Sequence, residues 1–496
     1  MSASALPGLG GHPAGLRTLF FTELWERFSY YGMRALLVLF LVDASSGMGM
    51  DDQTATAIYG LYTAAVYIVA LPGGWIADRL LGAQRAIWLG GIIIAIGHFT
   101  LALPATATFF MGLLCIVAGT GLLKPNISLV VGELYARNDP RRDAGFTLFY
   151  MGINLGAAMG PLICSTLGES RRFGWHYGFA AAGVGMVIGL IWFRLTRHQL
   201  GSAGLHPSLD AADPLQAAER RRLWRRVGIG LALVLLLAVL VGSGRLAIAP
   251  VALARNSAWG IGVLAIGYFG WLLLAGRLDA SEKKRVLALA FLFLGSAVFW
   301  SGFEQAGSSL NLFADRYTDR LLGGFEIPAG WFQVLNPIFI ITLAPLYAAL
   351  WVGLARRHLN PSTPAKFGLG LLLLAAGFTV MLGAASLVAS GDKALPTWLL
   401  FTYLFHTMGE LALSPVGLSA TTRLAPRRYA GQMMGLWFLA TAVGNLIAGL
   451  LAGQFRDDAL ADMPGLYTQI VLMAAGTGLL FLALRRPVRR LMGDAG

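Results

Sequence analysis

The segment Phe20–Val42, FFTELWERFSYYGMRALLVLFLV, sets four charged residues in an otherwise apolar run long enough to cross a membrane. On a helix the charges and one tyrosine form a single stripe roughly 100° wide: Glu23, Glu26, Arg27, Tyr30 and Arg34. Each charge at the helix centre costs about 2.5–3.5 kcal/mol on insertion scales, so the stripe should face protein or water. Ionisable residues in this position indicate a substrate or proton pathway.

The composition of the whole chain also indicates a membrane protein. It has 496 residues, of which 56% are hydrophobic and 13% charged, whereas soluble domains have about 25% charged residues. We predict an all-α polytopic protein with fourteen transmembrane helices, at 18–42, 53–78, 86–104, 107–134, 144–167, 175–195, 223–243, 247–276, 286–314, 330–355, 366–389, 397–424, 429–454 and 466–484.

The formal net charge of +13 reflects membrane topology rather than affinity for nucleic acid. The basic residues gather in alternate loops, as in Arg220–Arg226 and Arg485–Arg490, while the other loops are short or acidic. Positive residues favour the cytoplasmic side, so we expect both termini in the cytoplasm.

A long polar stretch, Thr196–Arg222, divides six predicted helices from eight. The next two apolar segments contain no acidic residue, which is typical of accessory helices that face lipid. Without them the chain has six helices plus six, as expected of a transporter made from two bundles. The predicted organisation is a first bundle at 1–197, a cytoplasmic linker at 198–222, two accessory helices at 223–277 and a second bundle at 278–496.

Seven ionisable residues lie well inside predicted helices: Glu23, Glu26, Arg27, Arg34, Lys124, Glu304 and Glu410. Buried charges persist when they are paired, so we expect these three cations and four carboxylates to form a network across the two halves. The excess carboxylate would suit a proton carrier, because a desolvated Glu titrates closer to neutral pH. Purely structural ion pairs are the alternative.

Arg34 and Lys124 come from the first half of the chain, whereas Glu304 and Glu410 come from the second. A cavity with these charges on opposite sides would suit a zwitterion. A free carboxylate would meet Arg34 or Lys124, and a free ammonium would meet Glu410, with Asn154 and Asn336 as hydrogen-bonding partners. Four aromatic residues could wall the space between them, or serve in packing alone: Tyr30, Tyr67, Trp300 and Trp437.

Other residues inside the predicted helices have a structural interpretation, and for the prolines a functional alternative remains. Cys115, Cys164, His98 and His406 are predicted to be packed core residues. Prolines beside polar residues, in Lys124-Pro125, Asn336-Pro337 and Ser414-Pro415, indicate either simple kinks or breaks that line a cavity. The sequence lacks metal-ligand spacing, a nucleotide loop and a nucleophile–base arrangement, so we expect neither an enzyme nor a cofactor.

The motifs together resemble the proton-dependent oligopeptide transporters of the major facilitator superfamily. The first half contributes Glu23-x-x-Glu26-Arg27, the loop Gly74–Arg85 (GWIADRLLGAQR), Gly119–Asn126 (GTGLLKPN) and Phe149–Gly156 (FYMGINLG). The second half contributes Phe299–Gln305 (FWSGFEQ), Gln333 with Asn336-Pro337, and Gly409-Glu410 through Ser414-Pro415. The resemblance covers essentially the whole chain.

This resemblance implies import of di- and tripeptides with protons by alternating access, in the plasma (inner) membrane of a bacterium, by a monomer driven by the proton gradient. It assigns the proton-linked cluster to Glu23, Glu26 and Arg27, the peptide carboxylate to Arg34 and Lys124, and the amino end to Asn154, Asn336 and Glu410. Glu304 would join proton coupling by pairing with Arg34 at the extracellular gate, and Trp300 and Trp437 would shape side-chain pockets.

One departure from animal members concerns the proton carrier. They carry a His in the second helix, whereas Ala57–Gly74 contains none, so coupling should rest mainly on Glu23 and Glu26. Two alternatives remain: a family relative that moves another anion or a drug-like substrate, and a membrane receptor or enzyme.

Overall fold

Long helices make up most of the protein. The structure, a computed structural model, describes residues 11–136, 139–209, 214–455 and 457–493. Within these ranges fourteen helices have at least 19 residues: α1 (Ala14–Val42), α2 (Asp52–Ile76), α3 (Ala83–Leu101), α4 (Thr106–Glu133), α5 (Arg142–Gly168), α6 (Trp175–Thr196), α7 (Pro214–Gly242), α8 (Pro250–Ala275), α9 (Ala280–Phe303), α11 (Leu335–Arg356), α12 (Thr363–Ala389), α13 (Pro396–Leu424), α14 (Ala430–Ala452) and α15 (Met463–Ala483).

Shorter elements complete the described chain. They are α10 (Ser309–Tyr317), α16 (Arg485–Met492) and an antiparallel hairpin of β1 (Leu321–Leu322) and β2 (Phe325–Glu326). Every predicted apolar segment overlaps one long helix, and twelve of the described spans are apolar enough to cross a membrane by length and composition. The other two long helices are α1, which carries the charged stripe, and α13, which is rich in polar residues. The prediction of an all-α polytopic fold is confirmed, whereas the side of the membrane on which the termini lie stays a prediction.

Helix breaks fall beside predicted site residues, although not always where the prolines suggested. The predicted span 286–314 is interrupted, because α9 ends at Phe303 and a 3-10 turn, Glu304–Gly307, precedes α10. A second 3-10 segment, Ala329–Val334, leads into α11, so that Pro337 lies in the first turn, where a missing backbone donor is tolerated. In contrast, α4 and α13 continue through Pro125 and Pro415.

Glycines let neighbouring helices approach closely. On α3 and α4, Gly90 faces Gly119, and a Cβ added to either residue would lie 2.5–2.6 Å from the other's carbonyl oxygen. Gly97 and Gly112, each seven residues from the first pair along its own helix, form a second reciprocal pair with corresponding distances of 2.7–2.8 Å. Packing and close backbone approach replace the hydrophobic effect as the force between helices in lipid, which accounts for the high glycine content of the chain.

The protein divides into two compact units. One runs up to Leu36 and resumes over Ile68–Ala249, and the other comprises Leu37–Tyr67 and the chain from Pro250 onward. The domain boundaries predicted from sequence stay predictions, and residues 210–213 of the predicted linker lie outside the described residues.

The predicted accessory helices expose apolar surface. None of the apolar stretch of α7 is buried within the protein, and only 17% of that of α8 is buried. A contiguous exposed apolar surface of this kind is typical of contact with lipid or another protein. In its own unit, α8 packs on α9 through Phe269 and Phe293, whose ring centroids are 5.9 Å apart.

Candidate functional site

The charged stripe of α1 forms a buried ion cluster in the first unit. Arg27 pairs with two carboxylates, Glu26 and Glu23, and its Nε lies 3.2 Å from Glu23 Oε1. The three residues are 4%, 0% and 3% exposed, respectively. The prediction that the stripe faces protein rather than lipid is therefore confirmed for these residues.

A glycine ladder on α5 explains how the cluster fits against its neighbour. Gly152, Gly156 and Gly160 recur every four residues on one face of α5 and lie against the α1 backbone. A Cβ at Gly156 would overlap the Leu24 carbonyl oxygen and lie 3.0 Å from Arg27 Cβ. The missing side chains thus allow α5 to approach the ion cluster closely.

The remaining predicted site residues of this unit lie on three helices. Lys124 of α4 interacts electrostatically with Glu23. Arg34 is buried on α1, and its guanidinium carbon lies 5.4 Å from the centroid of the Tyr31 ring. Arg27 makes a similar contact with Tyr30 at 5.2 Å. Asn154 of α5 is also buried, and its Nδ2 donates to the Tyr150 carbonyl oxygen at 2.9 Å.

In the second unit, Glu304 is held by a residue that the sequence analysis did not identify. The hydroxyl of Tyr59, on α2, donates to Glu304 Oε2 at 3.2 Å. Both residues are buried, and Gly307 lies so close that a Cβ there would overlap the Tyr59 hydroxyl. The sequence signal for this contact was weak, because a tyrosine in a membrane helix is more often a packing residue.

The predicted amino-end residues of this unit form a small hydrogen-bonded group. Asn336 lies in the first turn of α11, and its Nδ2 donates to Glu410 Oε2 of α13 at 3.0 Å and to Thr407 Oγ1 at 3.1 Å. Glu410 and Asn336 are both half-buried. Both residues were predicted from the sequence, whereas Thr407, which lies one helical turn before Glu410, was not.

The two predicted wall tryptophans pack tightly against their surroundings. Trp300 makes edge-on contacts with Phe299 and Phe303, at centroid distances of 5.7 and 5.2 Å. Trp437 is buried over Gly417, where a Cβ would overlap the indole, and lies edge-on to Phe367 at 6.4 Å. Both rings therefore pack against neighbouring residues of their own unit, while their role as pocket walls stays a prediction.

The histidines and Cys164 behave as the sequence analysis predicted. His98 and His406 are buried, and His406 packs on the Phe378 ring with centroids 4.6 Å apart. Cys164 is fully buried, and it lies against Gly32 of α1. Cys115 is only half-buried.

The polar segment that follows α6 is tied to the turn after α2 and to the ends of α3 and α4, which the sequence did not predict. Gln84 Nε2 donates to the Ala203 carbonyl oxygen at 2.7 Å, and Glu133 Oε2 accepts from the Gly204 amide at 2.6 Å. Nearby, the Ser208 amide donates to the Asp78 carbonyl oxygen at 2.6 Å. These contacts hold residues 201–208 against α3, α4 and the turn between α2 and α3, all within the first unit.

Comparison with known proteins identifies the family. A family model described as the POT family matches residues 84–464. The chain belongs to the POT family. The resemblance found in its sequence motifs is thereby confirmed.

Individual POT relatives match over nearly the full length. The chain is 42% identical over 492 residues to "Peptide transporter YePEPT" of Yersinia enterocolitica, covering 98% of this chain and 96% of the relative. It is 37% identical to the "Di-/tripeptide transporter" of Lactococcus lactis subsp. cremoris, covering 98% and 97%.

Solved POT structures share the fold. One, a peptide transporter POT in complex with sulfate, has 41% sequence identity and a TM-score of 0.89, and the match covers 99% of this chain and 98% of that one. Another, a POT family transporter in complex with 5-aminolevulinic acid, has 36% identity and a TM-score of 0.86, covering 97% and 98%. The major facilitator fold predicted from sequence is thus confirmed.

The predicted site residues are distributed over both units. The first unit contains Glu23, Glu26, Arg27, Tyr30, Arg34, Lys124 and Asn154, and the second contains Tyr67, Trp300, Glu304, Asn336, Glu410 and Trp437. Of these, the first set has three cations and two carboxylates, whereas the second has two carboxylates and no cation. The predicted network across the halves, including the Arg34–Glu304 pair, stays a prediction.

Proposed function

We propose that this protein imports di- and tripeptides together with protons by alternating access. The observation that carries the proposal is the buried cluster on α1, in which two carboxylates pair with the single guanidinium of Arg27. Two buried carboxylates close together disfavour simultaneous ionisation, so one of them is suited to take up a proton. Protonation of Glu23 or Glu26 would weaken its hold on Arg27 and free the arginine to change partners.

The proposed substrate class follows from the charges available and from the relatives. The relatives in Yersinia enterocolitica and Lactococcus lactis are named peptide and di-/tripeptide transporters. A short peptide carries a carboxylate at one end and an ammonium at the other. We assign the carboxylate to Arg34 and Lys124, and the ammonium to Glu410, Asn336 and Asn154. Tyr30, Tyr67, Trp300 and Trp437 would line the space for side chains.

Glu304 is proposed to link proton movement to closure on the outer side. It would pair with Arg34 when the outer gate closes and release it when protonated. Its bond from Tyr59 supports this role, because it holds the carboxylate in the turn that follows α9. We further propose that the protein spans the inner membrane of a bacterium, with both termini in the cytoplasm. It would act as a monomer.

Uptake into proteoliposomes tests the proposal. Purified protein is reconstituted, and uptake of radiolabelled dialanine is measured with and without an inward proton gradient. We expect accumulation above the external concentration only with the gradient. Equilibration without accumulation would contradict proton coupling, and absence of dialanine uptake would contradict the substrate class.

A second substrate candidate is a single amino acid with well-separated charges. The POT structure with 5-aminolevulinic acid motivates it, because this compound also carries an ammonium and a carboxylate. Competition between 5-aminolevulinic acid and dialanine in the same vesicles separates the candidates. Stronger inhibition by dialanine than by 5-aminolevulinic acid supports a peptide carrier, and the reverse order supports the second candidate.

A further inference from the structure

Thr407 lies one helical turn before Glu410 on α13, contacts Asn336 and is fully buried. Its Oγ1 donates to the Tyr403 carbonyl oxygen at 2.7 Å, one turn earlier on the same helix. A threonine hydroxyl has one hydrogen and two lone pairs. Since the hydrogen is committed to Tyr403, Oγ1 acts only as an acceptor toward Asn336, at 3.1 Å.

This arrangement fixes which way the Asn336 amide is turned. Both of its neighbours on α13 accept hydrogen bonds: Thr407 through Oγ1 and Glu410 through Oε2. A carbonyl oxygen turned toward two acceptors would be repelled, so the amide nitrogen must face them with its two hydrogens. The hydrogen-bonding group that Asn336 can still offer to a ligand is therefore Oδ1, an acceptor.

We propose that Thr407 is a positioning residue that holds Asn336 with its carbonyl oxygen available to the amino end of the substrate. This inference rests on the proposed function and refines it. With Oδ1 presented beside the Glu410 carboxylate, these two residues both offer acceptors to the substrate. Such a site favours a free ammonium, which has three N–H donors, over an acylated amino end, which has one N–H and adds a carbonyl acceptor.

Glu410 without a positioned Asn336 would discriminate poorly between substrates with different amino ends. A carboxylate by itself attracts any cation, whereas two acceptors on different helices set the direction of approach. Without the Thr407 oxygen, one amide hydrogen of Asn336 would lose its partner. Rotation of the amide would then present its nitrogen, a donor, to the ligand for part of the time.

The test compares substitutions at Thr407 in reconstituted protein. Thr407→Val keeps the shape but removes the acceptor, and Thr407→Ser keeps the hydroxyl. For Thr407→Val we expect the KM for dialanine to rise about fivefold with little change in kcat, as for loss of one neutral hydrogen bond. We also expect the preference for dialanine over N-acetyl-dialanine, measured by competition, to fall by a similar factor. Thr407→Ser should stay within about twofold of the wild type.

Thr421→Val is the matched control. Thr421 is also buried on α13, and its hydroxyl donates to the Gly417 carbonyl oxygen at 2.9 Å, so its loss should leave KM and preference unchanged. Thr407→Ala serves as the second variant if Thr407→Val is not monodisperse in gel filtration.

The outcomes separate this inference from the proposed function. Wild-type protein that does not take up dialanine contradicts the function itself. Wild-type transport, combined with unchanged KM and preference in a folded Thr407→Val or Thr407→Ala variant, overturns only the positioning role. A fall in kcat alone, equal for Thr407→Val and Thr421→Val, would show a structural effect and likewise overturn it.

Discussion

The Tyr59 hydroxyl donates a hydrogen bond to Glu304 Oε2, joining α2 to the turn that follows α9 within one unit. The two residues are 245 positions apart in the chain. Gly307, in the same turn as Glu304, lies against the phenol and leaves no space for a side chain. The buried Glu304 carboxylate thus receives a hydrogen bond from Tyr59, and Gly307 leaves room for the Tyr59 ring.

Replacing Tyr59 by Phe should destabilise the protein. The variant removes the donor and leaves a buried carboxylate oxygen less well satisfied, and hydrogen bonds to charged groups contribute about 1.5–3 kcal/mol. We therefore expect a lower Tm in detergent, measured by tryptophan fluorescence, and slower gradient-driven dialanine uptake. Tyr177→Phe, at an exposed ring, is the control and should change neither. An unchanged Tm for Tyr59→Phe would show that the bond contributes little.

Replacing Glu26 by Gln should uncouple transport from the proton gradient. Glu26 is completely buried and pairs with Arg27, and Gln retains hydrogen-bonding capacity but has no proton to gain or lose. We expect gradient-driven accumulation of dialanine to be abolished while dialanine exchange between the two sides remains measurable. Both are measured in the same proteoliposomes.

Glu219→Gln is the control for Glu26→Gln, since Glu219 forms an exposed ion pair with Arg79. Its accumulation should match that of the wild type. Undiminished uphill uptake by Glu26→Gln would remove Glu26 from the coupling role and leave Glu23 as the candidate.

A bidentate ion pair at the start of α2 should contribute to stability. Arg316 Nη1 and Nη2 each lie 2.8 Å from a different oxygen of Asp52, and both side chains are largely buried. Bidentate geometry is stronger than a single contact, whereas exposed pairs contribute about 0.2–1 kcal/mol. We expect Asp52→Asn to lower the free energy of unfolding by about 1 kcal/mol or more, with a corresponding fall in Tm.

The double variant Asp52→Asn with Arg316→Gln tests whether the effect comes from the pair. If it does, the double variant should be less unstable than the sum of the two single variants, because each single change already breaks the interaction. Additive changes in Tm would show that the two residues act independently.

The sequence predicted the helices well because membrane insertion demands long apolar segments. The stripe on α1 could be located from periodicity alone, since charges on one face of such a helix must face protein. Hydropathy carried no information on the break after Phe303, because a 3-10 turn differs from an α-helix in hydrogen bonding and not in composition.

Contacts between distant segments were the part that sequence could not supply. Glu304, Asn336 and Glu410 were identified as polar residues in apolar surroundings. Their partners Tyr59 and Thr407 were not identified, because tyrosine and threonine are common in membrane helices. Their roles depend on which residues they contact in the folded protein. The contact of Glu133 with the Gly204 amide was also missed. Every residue except proline has a backbone N–H, so the residue type does not indicate which amide a carboxylate will bind.

Filling the glycine ladder on α5 should disturb the ion cluster on α1. A Cβ at Gly156 would overlap the Leu24 carbonyl oxygen and press on Arg27, and overpacking of this kind typically costs about 1–3 kcal/mol. We expect Gly156→Ala to lower the Tm and to slow gradient-driven uptake of dialanine more than exchange, because the displaced helix carries the proposed proton-linked residues. Gly476→Ala is the matched control, since nothing lies within 4 Å of a Cβ at that position of α15, and alanine there should leave the Tm unchanged or raise it slightly. Equal effects of the two substitutions would show that close approach of α5 to α1 is not required.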